Sequence, residues 1–156
     1  EQGLVVDYVI IMGYDEHYVG SDAGSVASLP WVEQGVQDTI AEVTPERTIL
    51  AIPFYTRLWK TTGGAVTSEA IGMDEAQNVL STNGVEAVWD GSVGQNYATF
   101  EQDNSTYQIW LEDAQSIAEK VKLIQKYNLA GVAQWKLGFE NSSIWQTISD
   151  NLQAAS

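Results

Sequence analysis

Two hydrophobic periods share this chain. Residues 3–12 (GLVVDYVIIM), 48–54 (TILAIPF) and 130–135 (AGVAQW) are nearly unbroken apolar runs rich in β-branched side chains. Such runs predict strands buried on both faces, as in a parallel sheet covered by helices. Elsewhere the spacing changes to threes and fours. Leu29, Val32, Val36, Ile40 and Val43 fall on one helical face, with Ser28 placed to cap it, Pro30 in its first turn and Thr44-Pro45 to end it. Ala114, Ile117, Val121, Ile124 and Tyr127 make a second stripe. Glu112 and Asp113 stand at its start and Lys120, Lys122 and Lys126 towards its end, the distribution that suits the helix dipole. Residues 143–152 (SIWQTISDNL) predict a third helix, with Ser143 and Gln146 at capping-box spacing.

The order is strand, helix, strand, long insert, helix, strand, helix. Buried strands alternating with helices predict parallel βα units and an α/β fold. The insert, residues 60–110, has another texture. Residues 72–82 (GMDEAQNVLST) predict a short helix, and EAVWD, QNYATFE and TYQIWL predict short antiparallel strands. Asp90-Gly91 and Asp103-Asn104-Ser105 supply turns between them.

Composition narrows the chemistry. The 156 residues carry 21 Asp+Glu against 7 Lys+Arg, a formal charge of -14. That balance argues against nucleic acid and anionic membrane surfaces as partners, because both need a basic patch. There is no cysteine and a single histidine, His17. Neither a thiolate site nor a His-pair metal site can therefore be built within the chain, and no metal and no cofactor is expected. No apolar stretch reaches the roughly 18 residues of a membrane span. The sequence begins at Glu1 with neither an initiator methionine nor a signal peptide, as a processed product or a cut fragment would.

In α/β folds, ligands bind beyond the carboxyl ends of the parallel strands. Here those ends deliver Met12, Tyr14 and Asp15 from the first strand, Tyr55, Arg57 and Trp59 from the second, and Gln134 and Trp135 from the third. Each strand thus places an aromatic ring and a polar group at one edge. Aromatic faces accept the C–H face of a sugar, and carboxylate, guanidinium and amide groups fix its hydroxyls. A carbohydrate site is the reading that follows. Phosphate is disfavoured, because no Gly-rich loop precedes a helix and the field is acidic.

Four ordered segments go further: IMGYDEHY, SVASLPWVEQGV, AIPFYTRLW and WLEDAQSIAEKVKLIQKYNLAGVAQWKLG. Together they resemble the family 18 glycoside hydrolases, in particular the bacterial branch linked to spore germination and cell-wall lysis. The resemblance implies the C-terminal portion of a (β/α)₈ barrel, strands six to eight with their helices, and a small α+β insertion subdomain. Residues 1–59 would hold strands six and seven with the helix between them, 60–110 the insertion, and 111–156 helix seven, strand eight and helix eight. Tyr14 resembles the tyrosine that hydrogen-bonds the substrate's N-acetyl group, and Asp15 the neighbouring aspartate that contacts sugar hydroxyls. Tyr55 and Arg57 resemble the strand-seven motif lining the cleft, with Thr56 standing where the family has Gly. Trp135 resembles the tryptophan under the distorted sugar. The resemblance also implies an extracellular, cell-wall or spore-envelope location, and as partner a polysaccharide of N-acetylglucosamine type, peptidoglycan or chitin.

The family mechanism is substrate-assisted, outside the two-carboxylate scheme. Its acid Glu closes an Asp-x-x-Asp-x-Asp-x-Glu stretch at the end of strand four, and this chain contains no such stretch. Glu16 follows Asp15 directly, away from that acid position. A barrel of this type needs roughly 250 residues, so the expected partner is the missing N-terminal barrel half or a second chain, and the chain alone is expected to be inactive. Two further readings stay open: a non-catalytic sugar-binding member of the family, and a structural half-barrel. Trp59 and Trp89 are equally compatible with the cleft wall and with packing of the insert, while Trp31, Trp110 and Trp145 read as packing residues.

Overall fold

The computed structural model describes residues 5–153. In chain order the elements are β1 (Val9–Met12), α1 (Leu29–Ile40), β2 (Thr48–Pro53), β3 (Tyr55–Thr62), β4 (Ala65–Gly72) and α2 (Met73–Asn83). They continue with β5 (Val88–Asp90), β6 (Gln95–Gln102), β7 (Ser105–Trp110), α3 (Ala114–Lys126), β8 (Gly131–Trp135) and α4 (Ile144–Gln153).

The three apolar runs pair in parallel in the order β1-β2-β8. β1 is shorter than the run that predicts it. Its ladder begins at Val9 opposite Thr48, where β2 itself begins, so the described residues 5–8 lie before that ladder. Gly3 and Leu4 lie outside the described residues. Leu50 and Ile52 of β2 are fully buried against Val32 and Val36 of α1, Ile117 and Val121 of α3, and Ile144 and Ile148 of α4. This is the helix-facing side. On the opposite side of β1, Ile10 and Met12 are exposed.

The insert forms a second, antiparallel sheet in the order β4-β3-β7-β6-β5. The parallel ladder ends where Phe54 N–H donates to the Trp135 carbonyl, and Tyr55 opens β3 directly. The expected boundary between residues 59 and 60 therefore falls inside a strand. β3 and β4 form a hairpin closed by Gly63 and Gly64 at φ 56° and 86°. A two-residue turn with both residues left-handed matches the twist of the strands it joins. α2 covers one face of this sheet through Ala76 and Leu80 against Ile71, Ala98 and Ile109.

Two helix starts, those of α1 and α4, depart from the local reading, and a third, that of α3, begins at the acidic residues expected there. Ser28 makes no side-chain cap on α1; its amide and hydroxyl instead donate to the Glu16 carboxylate at 2.7 and 3.0 Å. The capping box expected at Ser143 does not form: Gln146 bonds to Asp150 at 2.6 Å, and Ser143 donates its hydroxyl to Asn141 at 2.9 Å. At α3 the cap is Asp113, whose carboxylate accepts from the amides of Gln115 and Ser116 while the Ser116 hydroxyl accepts from the Asp113 amide. Lys120 is not a solvated dipole residue. It lies between Ile117 and Ile124 on the buried face and pairs with Glu112 at 3.0 Å, both side chains being essentially inaccessible.

Candidate active site

Gly13 extends the β1 ladder by donating to the Ala51 carbonyl at 2.8 Å. A Cβ at this position would meet that oxygen at 2.8 Å and Leu50 Cδ1 at 2.9 Å, so only glycine lets the strand run so close to β2 before it turns. The next two residues are Tyr14 and Asp15. Asp15 has φ 65°, a left-handed conformation that aspartate tolerates better than most residues.

The Asp15 carboxylate is held from the other sheet, where the Tyr55 hydroxyl at the start of β3 donates to Oδ1. The Tyr14 ring meets the Tyr55 ring edge-on, with centroids 6.2 Å apart and planes at 70°. Tyr55 also leans on Phe139, 6.3 Å away, in the segment that follows β8. Burial raises the Tyr55 phenol far above its ordinary value, and its bond to Asp15 adds to the shift. Burial and the Asp15 charge raise Tyr14 as well. Both phenols therefore remain protonated hydrogen-bond donors at neutral pH.

Arg57 follows Tyr55 on the same side of β3. Its Nη1 donates to Ser68 Oγ at 3.1 Å, and its Nε is buried without a hydrogen-bond partner. From β8, Trp135 presents a half-exposed ring. It pairs with Pro53, while Met12 stands in register with Ala51 and Ala133 two residues earlier, so Met12 and Trp135 share the face away from the helices.

Six of the expected residues are thus brought to the strand ends: Met12, Tyr14, Asp15, Tyr55, Arg57 and Trp135. Two are not. Trp59 is 1% exposed and donates its indole N–H to the Gly24 carbonyl at 2.9 Å, which leaves no face for a ligand. Gln134 pairs with Ile52, so it projects to the helix side, opposite Trp135. The period of two in a strand makes adjacent residues 134 and 135 unable to face one site.

Phe139 was not among the expected site residues; a phenylalanine in a loop carries no periodic signal. Glu16, which follows Asp15 in the chain, is occupied by Ser28. His17 directs Nδ1 to the Ser25 carbonyl at 2.7 Å and stacks its ring beside Gly24, a loop-bracing role.

A family model described as Glycosyl hydrolases family 18 matches residues 3–140. The chain is 26% identical over 151 residues to the cortical fragment-lytic enzyme of Bacillus subtilis (strain 168), covering 95% of this chain and 35% of that protein. Among solved structures it resembles a chitinase from Chromobacterium violaceum ATCC 12472 with a TM-score of 0.89 and 26% identity, over 97% of this chain and 47% of that one. It also resembles the spore cortex-lytic enzyme SleL of Bacillus megaterium QM B1551, with a TM-score of 0.86 and 25% identity, over 97% of this chain and 35% of that one. The chain spans less than half the length of each of these proteins.

Proposed function

The chain belongs to the glycosyl hydrolases of family 18, and on that premise we propose that it supplies strands six to eight, their helices and the α+β insert of a (β/α)₈ barrel that cleaves β-linked N-acetylglucosamine polymers. The observation that carries this reading is the cluster at the ends of the parallel strands. Tyr14 and Asp15 are fixed by Tyr55, and Trp135 opens a half-exposed ring on the face shared with Met12.

The proposed chemistry is substrate-assisted. A Glu from the remainder of the barrel protonates the glycosidic oxygen as the bond to the anomeric carbon breaks. The substrate's own acetamido oxygen forms a bond to that carbon and gives an oxazolinium ion. Water then opens the ion from the opposite side and returns a proton to the Glu, so configuration is retained. Tyr14 donates its hydroxyl to the acetamido oxygen and holds it in line, which is preorganisation rather than proton transfer. Asp15 accepts from a sugar hydroxyl and orients the ring, and its carboxylate is kept in place by Tyr55. Arg57 and Met12 contact flanking sugar atoms, and Trp135 carries the reacting ring.

The same reading assigns the protein to the cell wall or spore envelope, with peptidoglycan favoured over chitin on its likeness to a cortical fragment-lytic enzyme and SleL. The exposed Ile10 and Met12 on β1 are covered, in this proposal, by the N-terminal half of the barrel or by a second chain that supplies it. The isolated chain is then inactive.

One observation favours a second reading. Glu16, next to the Tyr14–Asp15 pair in the chain, is committed to Ser28 and is not free to act as the acid there. A barrel whose strand four also lacks the Glu would bind sugar without cleaving it.

The test compares an N-acetylglucosamine oligomer with its deacetylated counterpart as substrates of the full-length protein. Cleavage of the first with retained anomeric configuration, and none of the second, is the expected result. Equal cleavage of both overturns substrate assistance, and binding of the first without cleavage establishes the second reading.

A further inference from the structure

Between the loop that carries Tyr14–Asp15 and the insert runs a buried polar chain that no step above uses. Gln95, the first residue of β6, is fully buried. Its amide nitrogen donates to Glu112 Oε1 at 2.9 Å and to the Leu111 carbonyl at 3.2 Å. Its amide oxygen accepts from the hydroxyl of Ser25, itself 3% exposed. On the far side, Glu112 is held by Lys120 at 3.0 Å and by the Ser116 hydroxyl at 2.8 Å. Every polar atom in this series has a partner, the condition under which a buried network specifies one arrangement rather than several.

The chain has a direction. An ionised Glu112 can only accept, so the Gln95 NH₂ must point at it, and the Gln95 oxygen is thereby turned to Ser25. Ser25 in turn braces the loop twice. Its Oγ accepts from the Ala27 amide at 3.0 Å, and its carbonyl meets His17 Nδ1 at 2.7 Å. Within the same loop the Glu16 amide donates to the Val26 carbonyl at 2.9 Å. Glu16 is the residue directly after Asp15, whose left-handed backbone at φ 65° has to be held by its surroundings. The loop also meets the insert at two other points, Asp15 with Tyr55 and Gly24 with Trp59.

We propose that Gln95 is a positioning residue for the Tyr14–Asp15 pair: oriented by the buried Glu112–Lys120 ion pair, it locks the loop of residues 16–28 through Ser25 and so fixes Asp15 from behind. The insert is then more than a wall of the cleft. It splints the strand-end pair at three places, and two of these contacts, Gln95–Ser25 and Gly24–Trp59, are buried. The catalytic consequence rests on the family 18 reading above; the mechanical one does not.

The experiment has two arms, each made with Gln95→Met and with the gentler Ser25→Ala. Amide hydrogen exchange on this chain reports the loop directly. The expected result is that exchange at the Glu16 and Ala27 amides speeds up by at least about tenfold in both variants. Protection of the α1–α3 core amides, such as Val36 and Val121, should remain. Loop exchange unchanged from wild type in folded Ser25→Ala overturns the proposal, whatever the reaction proves to be. Steady-state hydrolysis of an N-acetylglucosamine oligomer by the full-length protein is the second arm. A misplaced strand-end pair lowers kcat by about tenfold or more with KM within a few-fold. A matched rise in KM with unchanged kcat contradicts a positioning role. If the wild-type protein hydrolyses nothing, the functional reading fails, and the exchange arm still decides the mechanical claim.

Discussion

The Tyr55 hydroxyl, at the first position of the antiparallel insert, donates a hydrogen bond to the carboxylate of Asp15, at the exit of the first parallel strand. One contact thereby joins the two sheets at the point where the proposed function seats a sugar. It also gives the Tyr55 hydroxyl a partner that its sequence context does not name, the Asp15 carboxylate.

Removing that hydroxyl should be felt in stability first. A hydrogen bond to a charged group contributes about 2 kcal/mol, so Tyr55→Phe is expected to lower the unfolding free energy by about that amount in urea titrations. A change of a few tenths of a kcal/mol would mean that Asp15 is held by its own loop.

The same residue sets an alkaline limit. The Tyr55 phenol is raised in the folded chain by burial and by Asp15, while an unfolded tyrosine ionises at about pH 10. Above that pH the unfolded state has lost a proton that the folded state still holds, so stability is present below about pH 10 and falls as pH rises beyond it. Denaturation midpoints from pH 8 to 11 should show this fall in the wild type and a shallower one in Tyr55→Phe. Parallel slopes would remove Tyr55 as the cause.

Lys120 and Glu112 predict an asymmetric mutational response. Lys120→Met leaves a buried carboxylate without its counter-ion and is expected to cost about 3–5 kcal/mol. Burial already raises the Glu112 carboxyl, so part of that loss should be recovered at acid pH, where the carboxyl is neutral. Chemical denaturation at pH 7 and pH 5 checks both statements. A loss equal at the two pH values would place the damage in packing.

Glu16→Gln separates a structural carboxylate from a catalytic one. Glu16 accepts from the Ser28 amide and hydroxyl at the start of α1, and a lost helix-end bond of this kind costs about 1 kcal/mol. Hydrolysis by the full-length protein should stay within about threefold, whereas loss of a general acid costs about 10²–10⁴-fold. A fall in that larger range would make Glu16 the acid.

What could be read from the sequence followed the range of the contacts. The parallel strands declare themselves through local β-branched runs, and β5, β6 and β7 through alternation between turn residues. The β3–β4 hairpin has a signal of its own, Gly63-Gly64 after Thr61-Thr62, which competes with the aromatic and basic side chains of residues 55–59. The Gln134 expectation fails on the two-residue period of β8 alone. Trp59, Lys120 and Ser28 fail differently. Each is fixed by a partner that no local pattern names: Gly24 for Trp59, Glu112 for Lys120 and Glu16 for Ser28. For Lys120 a trace was present, since it falls inside the Ile117–Ile124 apolar stripe. The Tyr14–Asp15 pair, the candidate site, stands out in the sequence because a buried strand that ends in a phenol and a carboxylate is unlike an ordinary loop.

In the proposed function the Tyr14 hydroxyl acts on the acetamido group of the substrate. The measurement that tests it most directly is kcat and KM of full-length Tyr14→Phe on an N-acetylglucosamine oligomer. Loss of one preorganised donor should lower kcat by about 10²–10³-fold while KM moves by only a few-fold. A Tyr14→Phe protein that keeps wild-type kcat would contradict the account.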